Sequence, residues 1–246
     1  MFEVSAKKEK GIKLHLGCGS VILPGYINID NGERKGVKYD IEASILELKF
    51  DDNSVDEIRL HHVFEHFHRY QVAAIMFAFN NWLKPGGKLT IQTPDFELCC
   101  HSYLNLMTPT IIARNILHSI KYKNNSFKAD KWQILRHVFG SKEAEWASHL
   151  EGWDKFTLSY IFELFGFNII KVKHGGLGGG MLPNITIIGE KKRHINNNEF
   201  EGLAKEFLQK MVINGFELPI WMDLAIKQKE IFLSNKNLSE SLLKND

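Results

Sequence analysis

A glycine turn between two short apolar segments constrains the fold of this chain more than any other feature. Residues 12–16 form an apolar strand that runs into Gly17-Cys18-Gly19, and a second strand at 26–29 ends in Asp30. Glycine lets the backbone turn sharply and approach a ligand closely because it carries no Cβ. An acid at the tip of the neighbouring strand is where a doubly wound sheet binds the hydroxyls of a ribose. The pattern therefore predicts an adenosine-containing cofactor at the carboxyl edge of a parallel sheet.

The spacing after the glycine turn argues against a dinucleotide. A pyrophosphate loop carries a third glycine and leads into a helix whose N-terminus binds the phosphates. Here Ile22 stands where that third glycine would fall, and Pro24 and Gly25 interrupt residues 20–26 before the second strand. A full crossover needs about ten to twelve residues. At most one helical turn fits, so the first crossover helix is short.

The glycine turn and later landmarks, taken in order, resemble the class I S-adenosylmethionine-dependent methyltransferases. The landmarks are Gly17-Cys18-Gly19, Asp30, Tyr39-Asp40-Ile41, residues 54–60, residues 83–91 and Gly166-Phe167. The combination of G-C-G with the following G-Y-I-N-I-D is similar to a type 11-like subgroup often found in sugar and surface-glycan pathways. The resemblance implies S-adenosyl-L-methionine as cofactor and a sugar, nucleotide sugar or glycan as acceptor.

The periodicity of apolar residues predicts a Rossmann-like, doubly wound α/β fold with a seven-stranded, mostly parallel sheet. Strands are expected at 12–16, 26–29, 37–40, 55–60, 87–93, 167–173 and 184–190, and helices at 69–83, 155–165, 199–213 and 219–233. A glycine-rich turn at 175–180 predicts that the last two strands form an antiparallel hairpin. We predict a methyltransferase domain over 1–193, with a lid or substrate wall at 96–152, and a helical C-terminal extension over 199–246.

The resemblance places the cofactor along the ends of the first strands. We expect it to contact His15, Gly17, Cys18, Gly19, Asp30, Asp40, Ile41 and His61. In the family, the acid at Asp30 holds the ribose and the acid at Asp40 commonly faces the adenine amino group. His15 departs from the family pattern, because most relatives carry there an acid that helps to orient the loop and the methionine amino group.

The densest cluster of ionisable groups follows the fourth strand and reads His61-His62-Val63-Phe64-Glu65-His66. In the family this is the position of a Glu-His pair near the methyl-transfer centre. Glu65 and His66 could brace the loop by hydrogen bonds. Alternatively, His66, or else His62, is a general base, because an imidazole accepts protons near neutral pH. A metal held by His62, Glu65 and His66 on one helical face ranks last. We therefore assign catalytic roles to His66, His62 and Glu65, and no metal ligands.

Polar residues that follow the fifth strand are predicted to face the acceptor. Asp95 lies at the tip of that strand, and His137 and His149 lie within the 96–152 segment. Asp95 is equally compatible with the N-cap of a following helix.

Composition narrows the remaining function classes. A net charge of +2 without a dense basic run gives no argument for nucleic acid. Three cysteines do not make a disulfide framework. No apolar run reaches the ~18 residues of a membrane span, and the first ten residues do not resemble a secretion signal. We expect a cytoplasmic protein, whose apolar stripe at Phe200, Leu203, Phe207 and Met211 packs on its own domain or forms a homodimer.

The sequence thus predicts a methyltransferase that acts on a hydroxyl of a sugar or glycan precursor, by in-line transfer with a histidine base. The alternatives are methylation of a nitrogen or of a quinol oxygen, the latter with help from a metal. A third alternative is a catalytically inactive scaffold that binds the cofactor.

Overall fold

A computed structural model describes residues 11–33, 36–104, 131–177, 182–235 and 237. The strands are β1 (Ile12–Leu16), β2 (Ile27–Asp30), β3 (Ile41–Glu42), β4 (Val55–His61), β5 (Leu83–Pro94), β6 (Phe167–Leu177) and β7 (Leu182–Lys191). The helices are α1 (Arg69–Trp82), α2 (Phe96–Tyr103), α3 (Lys131–Phe139), α4 (Lys155–Leu164), α5 (Phe200–Gln209) and α6 (Glu217–Ser234). Residues 105–130 of the wall predicted at 96–152, the glycines at 178–180 and the chain after 237 lie outside the described residues.

The strands form one seven-stranded sheet in the order β3-β2-β1-β4-β5-β7-β6. The first five strands pair in parallel, whereas β7 runs antiparallel to both β5 and β6. The chain from β1 reaches β2 without an intervening helix, whereas the spacing predicted a short helix of at most one turn. The Rossmann-like fold with its terminal antiparallel hairpin is therefore confirmed.

The third strand differs from its predicted position. It was expected at 37–40 but forms at Ile41–Glu42, where Ile41 pairs with Ile29 of β2. Asp40 precedes the strand because its carboxylate accepts bonds from the backbone N–H and the amide of Asn28, at 2.7 and 2.9 Å. This pairing ties Asp40 to the middle of β2, short of the carboxyl end where a ligand would bind.

The C-terminal helices pack on α1. The ring centroids of Phe200 and Phe77 are 5.2 Å apart, and those of Phe232 and Trp82 are 5.8 Å apart. Phe207 of the predicted stripe is also buried within the chain. A homodimer through these helices stays a prediction. None of the helices in the described ranges has the length and apolar content to cross a membrane.

The segment from α3 to residue 151 is fastened over the loop that follows β4. The backbone N–H of Leu150 donates to the Glu65 carbonyl at 2.8 Å, and the Arg69 guanidinium binds the Glu151 carboxylate at 2.8 Å. Gly140, which pairs with Ser148 in an isolated bridge, has a φ of +83°. A Cβ at Gly140 would lie 2.0 Å from the Ala147 carbonyl oxygen. The turn therefore requires glycine for both its conformation and its space.

We expect Gly140→Ala to destabilise the protein, because the left-handed conformation alone costs roughly 1–2 kcal/mol for a residue with a Cβ and the Ala147 carbonyl must also move. The matched control is Gly202→Ala on the exposed face of α5, where nothing lies within 4 Å of an added Cβ. That change should be neutral or slightly stabilising. Urea denaturation measures both free energies of unfolding. Equal values for the two variants would contradict this view of the turn.

Candidate active site

A cavity of about 850 Å³ opens at the carboxyl edge of the sheet, a volume within the range of ligand sites. The glycine turn, the chain after β3 and residues 136–150 form its walls. The predicted site residues that line it are Gly17, Cys18, Gly19, Asp30, His61, His62, His66, His137 and His149. His15, Asp40, Ile41, Glu65 and Asp95 are not among its lining residues.

The glycine turn has the geometry that the sequence predicted. Gly17 and Gly19 have φ values of +63° and +51°, and a Cβ at Gly17 would lie 2.4 Å from the side chain of Val63. The backbone N–H of Gly19 donates to Asp30 Oδ2 at 2.8 Å. This bond orients the Asp30 carboxylate at the cavity wall.

The residues after β3 belong to the site although the sequence reading missed them. Ser44, Ile45 and Leu46 line the cavity, and the Ser44 hydroxyl accepts the backbone N–H of Leu46 at the start of a short 3-10 helix, Ile45–Glu47. The pattern Ser44-x-x-Glu47 is a helix-start signal that could have located this turn. It was overlooked because the third strand was placed too early.

Two histidines at the ends of β1 and β4 lie beside each other. His15 is almost fully buried, and its Nδ1 contacts the Asn28 side-chain oxygen at 3.1 Å. The ring of His61 lies 5.8 Å away from the His15 ring, and His61 Nε2 accepts a bond from Arg59 Nε at 2.8 Å. Burial and then the Arg59 charge lower the pKa of His61 to about 4. His61 therefore presents an uncharged ring to the cavity.

Glu65 is a buried carboxylate at the centre of the histidine cluster. The single helical turn considered for residues 62–66 does not form, because His62 has a φ of +54°. A short 3-10 helix covers only Phe64–His66. His62 Nδ1 still reaches Glu65 Oε1 at 3.2 Å. Burial by itself would raise the pKa of Glu65, but the bond from His62 and the nearby histidine charges outweigh it and lower the pKa. The carboxylate is therefore ionised at neutral pH.

His66 and His149 pack edge to face above this carboxylate, with ring centroids 4.7 Å apart. His66 Nδ1 lies 2.9 Å from the Ser148 carbonyl, and His149 Nδ1 lies 3.2 Å from the Val138 carbonyl. A carbonyl oxygen only accepts hydrogen bonds, so each Nδ1 carries a proton. In the uncharged form of each ring, Nε2 holds the lone pair. Burial is the main cause that lowers the pKa of His149.

The structure separates the predicted acceptor residues. His137 lines the cavity, and its Nε2 donates to the Pro183 carbonyl at 3.0 Å, so that nitrogen carries the proton. Asp95 instead caps α2 by accepting the Leu98 N–H at 3.1 Å, and its other oxygen binds His174 Nδ1 at 2.8 Å. The N-cap interpretation of Asp95 therefore fits the structure, and we no longer assign it to the acceptor.

Residues 27–91 match the family model described as a methyltransferase domain. No curated protein matches the chain in sequence. Solved structures of similar fold include a Burkholderia thailandensis 1,6-didemethyltoxoflavin-N1-methyltransferase with bound S-adenosylhomocysteine, at 10% identity and a TM-score of 0.46 over 74% of this chain and 71% of that one. A Mesorhizobium loti S-adenosylmethionine-dependent methyltransferase is 15% identical, with a TM-score of 0.44 over 74% of this chain and 92% of that one. A likeness this distant carries no information on residues or substrates.

The matched segment contains Asp30 and the histidine cluster, and the glycine turn lies directly beside it in the sheet. The chain contains a methyltransferase domain, and its cofactor is S-adenosylmethionine. The residues at the cavity fit this cofactor, because the glycine turn leaves room for close approach, the oriented Asp30 carboxylate can accept ribose hydroxyls, and apolar Ile45 and Leu46 offer a surface for adenine.

We expect Asp30→Ala to weaken binding of S-adenosylhomocysteine by about 1–3 kcal/mol, or roughly 5- to 150-fold, because charged hydrogen bonds to the ribose are lost. Asp30→Asn should lose less, since its amide oxygen can still accept the Gly19 N–H. Calorimetric titration measures the affinity, with Asp223→Ala on exposed α6 as the control carboxylate. Affinity unchanged in Asp30→Ala would contradict the placement of the ribose.

Proposed function

We propose that the protein transfers a methyl group from S-adenosylmethionine to a hydroxyl of a sugar or glycan precursor, with His66 as the general base. The observation that carries this proposal is the bond from His66 Nδ1–H to the Ser148 carbonyl at 2.9 Å. That bond fixes the ring in the tautomer whose Nε2 accepts a proton, and His66 lines the cavity.

The protein has to align the acceptor with the cofactor and remove one proton. When bound, the cofactor supplies a methyl group that its sulfonium already activates. His66 Nε2 would accept the proton that the acceptor hydroxyl gives up, while the cofactor would supply the methyl group and leave as the neutral sulfide. Positioned acid–base groups contribute typically 10²–10⁴-fold to such reactions, and alignment of the reactants contributes separately. The wall at 136–150 would exclude water from the reaction.

The polar side chains in one part of the cavity support a hydroxylated acceptor. Side chains with hydrogen-bonding capacity line the part between α1 and α3, including His68, Gln71, Arg136, Ser141 and Glu145. Polar groups that converge on a cavity fix the orientation of a ligand and select it. A sugar offers hydroxyls to such a surface. Methylation of a nitrogen would use the same base.

We expect His66→Gln to reduce turnover by roughly 10²–10⁴-fold while the affinity for S-adenosylhomocysteine stays within about twofold. Glutamine can still donate to the Ser148 carbonyl, but it has no basic nitrogen. His194→Gln on the exposed surface is the matched control. The assay detects S-adenosylhomocysteine and methylated product with a panel of nucleotide sugars, amines and quinols.

Full activity of His66→Gln would reduce His66 to a structural role. If the protein methylates an amine or a quinol and no nucleotide sugar, the proposed acceptor class is wrong, but the assignment of His66 as the base still stands. Binding of S-adenosylhomocysteine without turnover on any acceptor would favour the inactive scaffold.

A further inference from the structure

We propose that Glu65, His66 and His149 form a binding site for a divalent transition-metal ion. The sequence suggested a different set, His62, Glu65 and His66, and ranked it last. In the fold, one ligand atom from each of Glu65, His66 and His149 lies within 4.8 Å of the other two. His149 enters the set because residues 148–151 are fastened over the loop after β4, a contact that sequence spacing does not reveal.

The distance between Glu65 and His149 suits two ligands of one ion. Glu65 Oε1 and His149 Nε2 are 3.9 Å apart, too far for a hydrogen bond. Two ligands at bond lengths of about 2.1 Å around a tetrahedral ion lie roughly 3.4 Å apart. A shift of a few tenths of an ångström would bring both atoms onto a shared cation.

The histidines are oriented as metal ligands usually are. A ligating imidazole almost always donates its second ring N–H to a carbonyl or carboxylate, which fixes its tautomer and the direction of its lone pair. His66 donates to the Ser148 carbonyl and His149 to the Val138 carbonyl. Both rings are therefore held by backbone groups, with one nitrogen of each left as a ligand.

The unsatisfied oxygen of Glu65 is an independent observation that points to a cation. The side chain is 1% exposed, and its Oε2 has no hydrogen-bond partner among the residues that the structure describes. A buried carboxylate with an unmet oxygen is costly unless a charge or a donor compensates for it. A metal ion would supply that charge directly.

The ligand set selects the type of metal. Two imidazoles and one carboxylate suit Zn²⁺ or Co²⁺, whereas Mg²⁺ favours oxygen ligands. Three protein ligands leave a coordination position open to water or to an acceptor oxygen. If the proposed function holds, the ion and the acceptor's proton compete for the His66 lone pair, so Zn²⁺ inhibits methyl transfer. This consequence rests on the proposed function, but the metal site does not.

The test uses the full chain, stripped with a chelator and titrated with Co²⁺, whose visible absorption reports nitrogen coordination, and then with Zn²⁺ as competitor. We expect one equivalent to bind. His149→Ala should weaken binding by more than about tenfold, the lower end of the cost for groups that merely support a ligand. Glu65→Gln should weaken it similarly. His194→Ala and His174→Ala are matched histidine controls that should bind like the parent protein, and circular dichroism verifies that each variant is folded.

Absence of Co²⁺ binding in the parent protein would overturn the site, as would affinity unchanged in both His149→Ala and Glu65→Gln. If Glu65→Gln fails to fold, His149→Ala and His149→Gln decide alone. Metal binding that depends on His149 but leaves methyl transfer uninhibited would support the site and count against His66 as the base. The two proposals are thereby separated.

Discussion

The hydrogen bonds between the loop after β4 and residues 148–151 hold the candidate active site together. The Glu65 carbonyl accepts a hydrogen bond from the Leu150 N–H, and the Ser148 carbonyl accepts one from the Nδ1–H of His66. The Arg69–Glu151 ion pair fastens the same segment to the start of α1. These contacts hold one wall of the cavity in place and set the direction of the histidine that we propose as the base. Loss of this attachment would open the site and release His66.

A second constraint is the placement of one buried negative charge among several histidines. Burial lowers the pKa of His61, His137 and His149, so these rings favour the uncharged form. Glu65 remains ionised mainly because the hydrogen bond from His62 offsets the effect of burial on its pKa. An uncharged imidazole can take a proton or bind a metal, and an ionised carboxylate stabilises either kind of added positive charge. The same arrangement thus supports proton transfer and cation binding.

Local sequence patterns predicted most of the fold, because the apolar residues on the buried face of a strand or helix recur with the period of that element. The glycine turn and Asp30 could be placed in the same way, since they adjoin strands. The third strand was misplaced because Asp40 is bound by Asn28 of another strand, which no local pattern shows. The hydrogen-bond partners of His66 and Glu65 also could not be predicted from the sequence, since Ser148 lies 82 residues from His66 along the chain. Such contacts depend on tertiary packing.

In our proposal, the Ser148 carbonyl fixes His66 as a proton acceptor beside the bound cofactor. Heteronuclear NMR of the histidine ring nitrogens, in protein saturated with S-adenosylhomocysteine, tests it most directly, with His66→Gln used to assign the signal. We expect the uncharged His66 ring to carry its proton on Nδ1 and to have an unprotonated Nε2. A proton on Nε2, or a ring that exchanges freely between tautomers, would contradict the claim.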